Sequence, residues 1–242
     1  MKRFALIPVA TLALAACEDT SRIMQPEGEF LPTPPQLSAS TTGIAITDLG
    51  TLGGTFSEAL AVNALGQVVG VSTTASGQGH GFIWEGGVMT DLGTLGGTSS
   101  RAVAVNARGQ VVGFSRTASG ELHGFIWEGG EMTDLGTLGG TSSRALAVNA
   151  LGQVVGFSRT ASGELRGFIW ESGVMTDLGT LGGTISQAFA ANALGQVVGT
   201  SWTGSGESHG FVWERGVMTD LGTLGGTISR AVAVNARGQV VG

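Results

Sequence analysis

Tyrosine is absent from the 242 residues, cysteine occurs once, proline five times, and charged residues make up only 12% of the chain. The single cysteine, Cys17, excludes an intrachain disulfide as a source of stability. Four of the five prolines (Pro26, Pro32, Pro34 and Pro35) fall in one short stretch, and none occurs from Thr41 onward. That gap suits strands, which need every backbone donor for a ladder. Lys and Arg total 12 against 18 Asp and Glu, giving a formal net charge of -6. No basic patch exists to release counterions from a polyphosphate, so nucleic acid is not an expected partner. The 42% hydrophobic content excludes a disordered chain, and the 43 glycines lack the G-X-Y register of collagen. The apolar run from Phe4 to Ala13 is too short to span a bilayer.

That run follows Lys2 and Arg3 and precedes Leu14-Ala15-Ala16-Cys17. A basic start, an apolar centre and small residues before a cysteine, in that order, resemble a bacterial lipoprotein signal. The resemblance implies cleavage before Cys17, lipidation of its thiol, and export to the cell envelope, at the outer membrane or cell surface. The alternative is an ordinary secretory signal cut near Ala16, with Cys17 left as a free thiol. Each acyl methylene buried in lipid contributes about 0.8 kcal/mol, so two or three chains anchor firmly where one does not. Residues 1–16 are thus expected to be a signal peptide. Residues 17–43, with the extended Leu31-Pro32-Thr33-Pro34-Pro35, are expected to form a lipidated tether.

Residues 44–242 are a repeat domain. The stretch D-L-G-T-L-G-G begins at Asp48, Asp91, Asp134, Asp177 and Asp220, a period of 43 residues. Such a period is a repeat signature, and four strands in each suggest propeller blades. In the unit from Thr98 to Gly140, Arg101 to Val105 reads as a first strand and Asn106-Ala107-Arg108-Gly109 as a tight turn. Gln110 to Ser115 is the second strand, and Thr117 to Glu121 a polar loop around Ser119-Gly120. His123 to Glu128 is the third strand, Gly129-Gly130 a hairpin turn, and Glu131 to Leu135 the fourth strand. Val111 and Gly113 on one face, and Val112 and Phe114 on the other, imply a sheet covered on both sides. Ala102 and Ala104 suit a crowded innermost strand. The expected fold is therefore all-β, a β-propeller-like array of about five four-stranded antiparallel blades, the last lacking its third strand. Ile44 to Leu49 would supply one fourth-type strand. An open β repeat or solenoid is the alternative.

Candidate sites follow from what recurs and what varies. The recurrent Asp and Asn (Asn63, Asn106, Asn149, Asn192, Asn235) read as turn formers rather than cation ligands. His80, His123 and His209 share one repeat position, filled by Arg166 in the third unit, and read as solvated strand starts. Trp84, Trp127, Trp170 and Trp213 read as packing between units rather than a sugar platform. No metal or cofactor is expected, and neither a nucleophile elbow nor a phosphate loop is found. The second and third units differ only at Val103/Leu146, Arg108/Leu151, His123/Arg166, Gly129/Ser172 and Glu131/Val174. So close a duplication argues against one asymmetric active site. Variation across all units at the polar loop makes Arg116, Arg159 and Trp202, with Glu121, Glu164 and Glu207, the candidate binding residues.

The pattern D-L-G-T-L-G-G-x-x-S-x-A-x-A-x-N-x-x-G-Q-V-V-G, with H-G-F-[IV]-W-E, resembles the HAF family of extracellular repeat proteins over Ile46 to Gly242. Here the family's His-Ala-Phe triplet reads His80-Gly81-Phe82, His123-Gly124-Phe125, Arg166-Gly167-Phe168 and His209-Gly210-Phe211. The resemblance implies export and a β-propeller-like fold, and it brings no enzyme activity or ligand. The expectation is a non-enzymatic envelope lipoprotein whose array binds a protein or glycan. A propeller-type polysaccharide hydrolase or lyase with a channel site is the alternative.

Overall fold

The computed structural model describes residues 5–8 and 44–242. Cys17, the lipobox before it and the proline-rich tether lie outside the described residues. Among the described residues two compact units are distinguished, one holding 5–8 and 44–48 and the other, the repeat array, 49–242. In the first unit, β1 (Ala5–Pro8) and β2 (Ile44–Thr47) form an antiparallel pair. β2 was expected to run to Leu49 as a fourth-type strand. It ends two residues earlier, and its ladder partner is β1.

The array contains no helix among the described residues. Its first repeat comprises β3 (Gly53–Val62), β4 (Val68–Thr74), β5 (Gly79–Glu85) and β6 (Val88–Asp91). The second comprises β7 (Gly96–Val105), β8 (Val111–Thr117), β9 (Leu122–Glu128) and β10 (Glu131–Asp134). The third has β11 (Gly139–Val148), β12 (Val154–Thr160), β13 (Leu165–Glu171) and β14 (Val174–Asp177). The fourth has β15 (Gly182–Ala191), β16 (Val197–Thr203), β17 (Ser208–Glu214) and β18 (Val217–Asp220). Each is an antiparallel meander. A hairpin of β19 (Ala233–Val234) and β20 (Val240–Val241) follows. The strands are thus organised as four complete meanders and a two-stranded hairpin. Single parallel residue pairs, Ser142 with Leu122 and Ile185 with Leu165, link the second, third and fourth meanders into one continuous hydrogen-bonded sheet.

Successive meanders stack face to face, as double-sided apolar strands require. Val69, Ile83 and Leu92 of the first pack against Ala102, Val111 and Phe125 of the second. The same set recurs one period on, Val112, Ile126 and Leu135 meeting Ala145, Val154 and Phe168. A third copy joins the third and fourth meanders. Burying each phenylalanine contributes about 1.5–3 kcal/mol, and in a stacked array such interface contributions add repeat by repeat.

The first strand is longer than its sequence suggests, taking in Gly96-Gly97-Thr98 before the expected start at Arg101. It also carries a β-bulge. Ala102 pairs with Gly113 and Ala104 with Val112, leaving Val103 as the extra residue. Residues two apart normally share a face. The bulge breaks that alternation, so Ala102 packs toward the preceding meander and Ala104 toward the following one. The two alanines therefore do not line one side of the strand.

Candidate functional site

The D-L-G-T-L-G-G stretch is spent on joining meanders. Asp134 Oδ1 accepts the Gly136 backbone N–H at 2.7 Å, closing the turn after the fourth strand. Leu135 enters the core. The Gly136 carbonyl accepts Ser143 Oγ at 2.5 Å, and that same Oγ accepts the buried Gly124 N–H at 2.9 Å. One serine of the next meander thus ties the third strand of the preceding one to the turn after its fourth. Leu138 N–H donates to Ser158 Oγ at 2.9 Å. Equivalent bonds occur one period earlier at Asp91, Ser100 and Ser115. Gly124 has a second constraint, since a Cβ there would lie 3.0 Å from the backbone nitrogen of Ala145.

The asparagines do more than form turns. Asn106 Oδ1 accepts Arg108 and Gln110 N–H at 2.9 and 3.1 Å, the expected local bonds. Its Nδ2 donates to Gln110 Oε1 at 2.6 Å and to the Asn149 carbonyl, 43 residues on, at 3.0 Å. The link repeats from Asn63 to Asn106, Asn149 to Asn192 and Asn192 to Asn235. A ladder of asparagines therefore crosses every described junction between repeats.

The histidines are not solvated. His80, His123 and His209 expose only 13–15% of their side chains, and each Nδ1 lies 2.8 Å from Asp91, Asp134 or Asp220 respectively. The register explains it: the third and fourth strands are paired antiparallel, which brings the strand-start histidine beside the strand-end aspartate. Arg166 takes the position in the third repeat and pairs instead with Glu164 at 2.8 Å. Burial pushes the Asp220 carboxyl upward, but hydrogen bonds from His209 and the Gly222 N–H and the charge of His209 outweigh it, so the group titrates below its ordinary value. A depressed carboxyl stabilises the fold above its unfolded-state pKa and loses that contribution as pH falls through the folded-state value. In His209→Ala the Asp220 titration should move upward, as followed by carboxyl 13C NMR. An unchanged titration would mean that the histidine does not set it.

Arg116, Arg159 and Trp202 lie one residue before the ends of the second strands, and Glu121, Glu164 and Glu207 directly before the third strands. Arg116 Nη1 donates to the Gly120 carbonyl at 2.8 Å, and Arg159 repeats the bond to Gly163 at 2.7 Å. Both arginines are exposed. Glu121 and Glu207 flank His123 and His209, with Oε2 at 3.7 and 3.8 Å from Nε2. Glu164 holds Arg166. Trp202 is 43% exposed. The same strand position in separate meanders carries Arg116, Arg159 and Trp202, so each presents its own loop and they do not converge.

Two clefts between meanders were not foreseen. One, of about 430 Å³, lies between the first and second repeats. Gln67, Glu85 and Thr90 line it from one side, Arg108 and Trp127 from the other. The second, of about 380 Å³, repeats it one period on, with Gln110, Glu128 and Thr133 facing Leu151 and Trp170. In each, the glutamine amide donates to the glutamate, Gln67 to Glu85 at 3.1 Å and Gln110 to Glu128 at 3.0 Å. Gly109 and Gly152 leave room for that glutamine, a Cβ there coming within 3.4 and 3.0 Å of it. Trp127 and Trp170 do pack against the inter-repeat cores, as read from the sequence, and they also wall the clefts. No group of potential metal ligands occurs among the described residues.

No protein-family model matches the chain, and no curated protein matches its sequence. Among solved structures it is similar to AofleA from Arthrobotrys oligospora, seen in the crystal structure of a triple arginine-to-alanine mutant. The identity is 15% and the TM-score 0.39, over 81% of this chain and 67% of that one.

Proposed function

We propose that the chain is an exported, lipid-anchored, non-enzymatic recognition module of the bacterial envelope, of the HAF repeat type, with its meanders set as blades around an axis. The observation that carries this reading is repetition of surface. Two successive junctions present equivalent clefts 43 residues apart, each with a glutamine–glutamate pair and a tryptophan. Equivalent sites in series suit multivalent capture of a repetitive ligand, a glycan or a neighbouring protein, where linked weak contacts raise avidity about 10²–10⁴-fold. The asparagine ladder supports blades joined along one line of turns, and the sequence Leu14-Ala15-Ala16-Cys17 supports the anchor.

The full chain should be retained on immobilised envelope material at least 100-fold longer than soluble monovalent fragments of that material are held. It should release no product from a panel of envelope polysaccharides. Product formation abolished by a point substitution would overturn the reading, as would equal residence on multivalent and monovalent ligand. The anchor is tested by detergent phase separation. Wild type should enter the detergent phase, and Cys17→Ser should stay aqueous.

A further inference from the structure

We infer that the clefts between successive meanders are binding sites for neutral saccharide units, an inference that rests on the reading of the array as a recognition module. Their volumes, about 430 and 380 Å³, fall in the range of small-molecule sites. The lining selects the ligand class. Each cleft has one tryptophan on one wall, and an indole ring can stack on the C–H side of a sugar ring. Opposite stand a glutamate, a glutamine and a threonine, planar or compact polar groups suited to ring hydroxyls. The glutamate is held in place by its glutamine, and a carboxylate accepts about four hydrogen bonds, so positions remain for hydroxyl donors. An anionic ligand finds no cation in the cleft between the second and third meanders, where Glu128 and Glu131 both contribute carboxylates.

A second, independent observation points to the same place. The second and third repeats are otherwise near-copies, yet three of their five differences, Arg108/Leu151, Gly129/Ser172 and Glu131/Val174, fall at cleft-lining positions. The polar loop from Arg116 to Leu122 is identical in the two, as Arg159 to Leu165. Duplicated scaffold with altered cleft rims is the pattern of sites that share a binding mode and differ in preference. The first cleft pairs Arg108 with Val88, and the second pairs Leu151 with Glu131.

The full chain should be screened on an array of neutral hexose and N-acetylhexosamine oligosaccharides, with uronic-acid and sialylated oligosaccharides as comparators. Neutral glycans should bind, and titration with a binder should change tryptophan fluorescence. Glu85→Gln with Glu128→Gln, both exposed side chains, should weaken that binding at least ten-fold with the thermal midpoint unchanged. Arg108→Leu and Glu131→Val each install a residue that a sister repeat already carries, so they should fold normally and reorder glycan preference. Unchanged affinity in the glutamate pair would overturn the cleft sites. So would preference for anionic glycans, or binding lost instead through Trp202→Ala. Retention on envelope material without any glycan binding overturns the saccharide inference and leaves the recognition module standing. Loss of retention as well overturns both.

Discussion

Gly113→Ala is expected to unfold the second meander, at a cost above about 4 kcal/mol, the range reserved for a specific steric or polar failure. A Cβ on Gly113 would sit 1.9 Å from the backbone oxygen of Arg101 and 3.0 Å from the Ala102 Cα. Carbon–oxygen contacts do not normally close below about 3.3 Å. The obstacle is backbone, so no rotamer change relieves it. To make room, β7 must lift from β8, breaking the pairs Arg101–Phe114 and Ala102–Gly113 beside the bulge. That movement also withdraws Ala102 from the core shared with the first meander. The same approach recurs at Gly70, Gly156 and Gly199, each 1.9 Å from a carbonyl oxygen. Gly120→Ala is the control. It has a φ of +86° and nothing within 4 Å, so it should lose only about 1–2 kcal/mol through left-handed strain. Urea unfolding followed by tryptophan fluorescence separates the two. If Gly113→Ala falls no further than Gly120→Ala, the close approach of the first strand to the second at the bulge is not rigid.

Why this glycine matters could not be read locally. The period, the four strands, their antiparallel order and the double-sided apolar pattern were legible, because each rests on neighbours in sequence. Val111 and Val112 do face different meanders, and Trp127 does pack between them. The bulge was not legible. Arg-Ala-Val-Ala-Val satisfies a simple alternation, and only the pairing of Ala102 and Ala104 with adjacent residues of β8 shows that Val103 is extra. The histidines were misread for a similar reason. His123 and Asp134 are eleven residues apart and look like two polar surface positions until the hairpin register joins them. The clefts needed two repeats side by side, so no single unit could reveal them. A signal was nonetheless present: three of the five differences between near-identical copies mark the cleft rims. The invariance of Ser143 and Asn149 was a signal too, since each bonds across a junction that a one-unit reading does not contain.

Asn149→Ala is expected to cost about 2–3 kcal/mol, most of it from stranding the buried Asn192 carbonyl and the rest from three part-buried bonds. The residue is 6% exposed and its side chain makes four hydrogen bonds. Its Oδ1 accepts Leu151 and Gln153 N–H, both at 3.0 Å, which orients the amide and aims Nδ2 at Gln153 Oε1 and the Asn192 carbonyl. Alanine removes all four partners. Asn149→Asp separates the two halves of the role. It keeps the acceptor for the turn and replaces the donor with an oxygen facing the Asn192 carbonyl, so it should be at least as damaging as alanine. Asn235→Ala removes the same local set, bonds to Arg237, Gln239 and the Gln239 side chain, at an exposed position. Water can replace those partners, and the loss should stay near or below about 1 kcal/mol. The difference between Asn149→Ala and Asn235→Ala measures what burial and the inter-repeat bond add to the turn. Because stability in a stacked array is a sum of repeats and junctions, cutting one rung should also lower the urea m-value as the two halves begin to unfold separately. An Asn149→Asp variant as stable as wild type, with an unchanged m-value, would reduce the ladder to a series of independent turns.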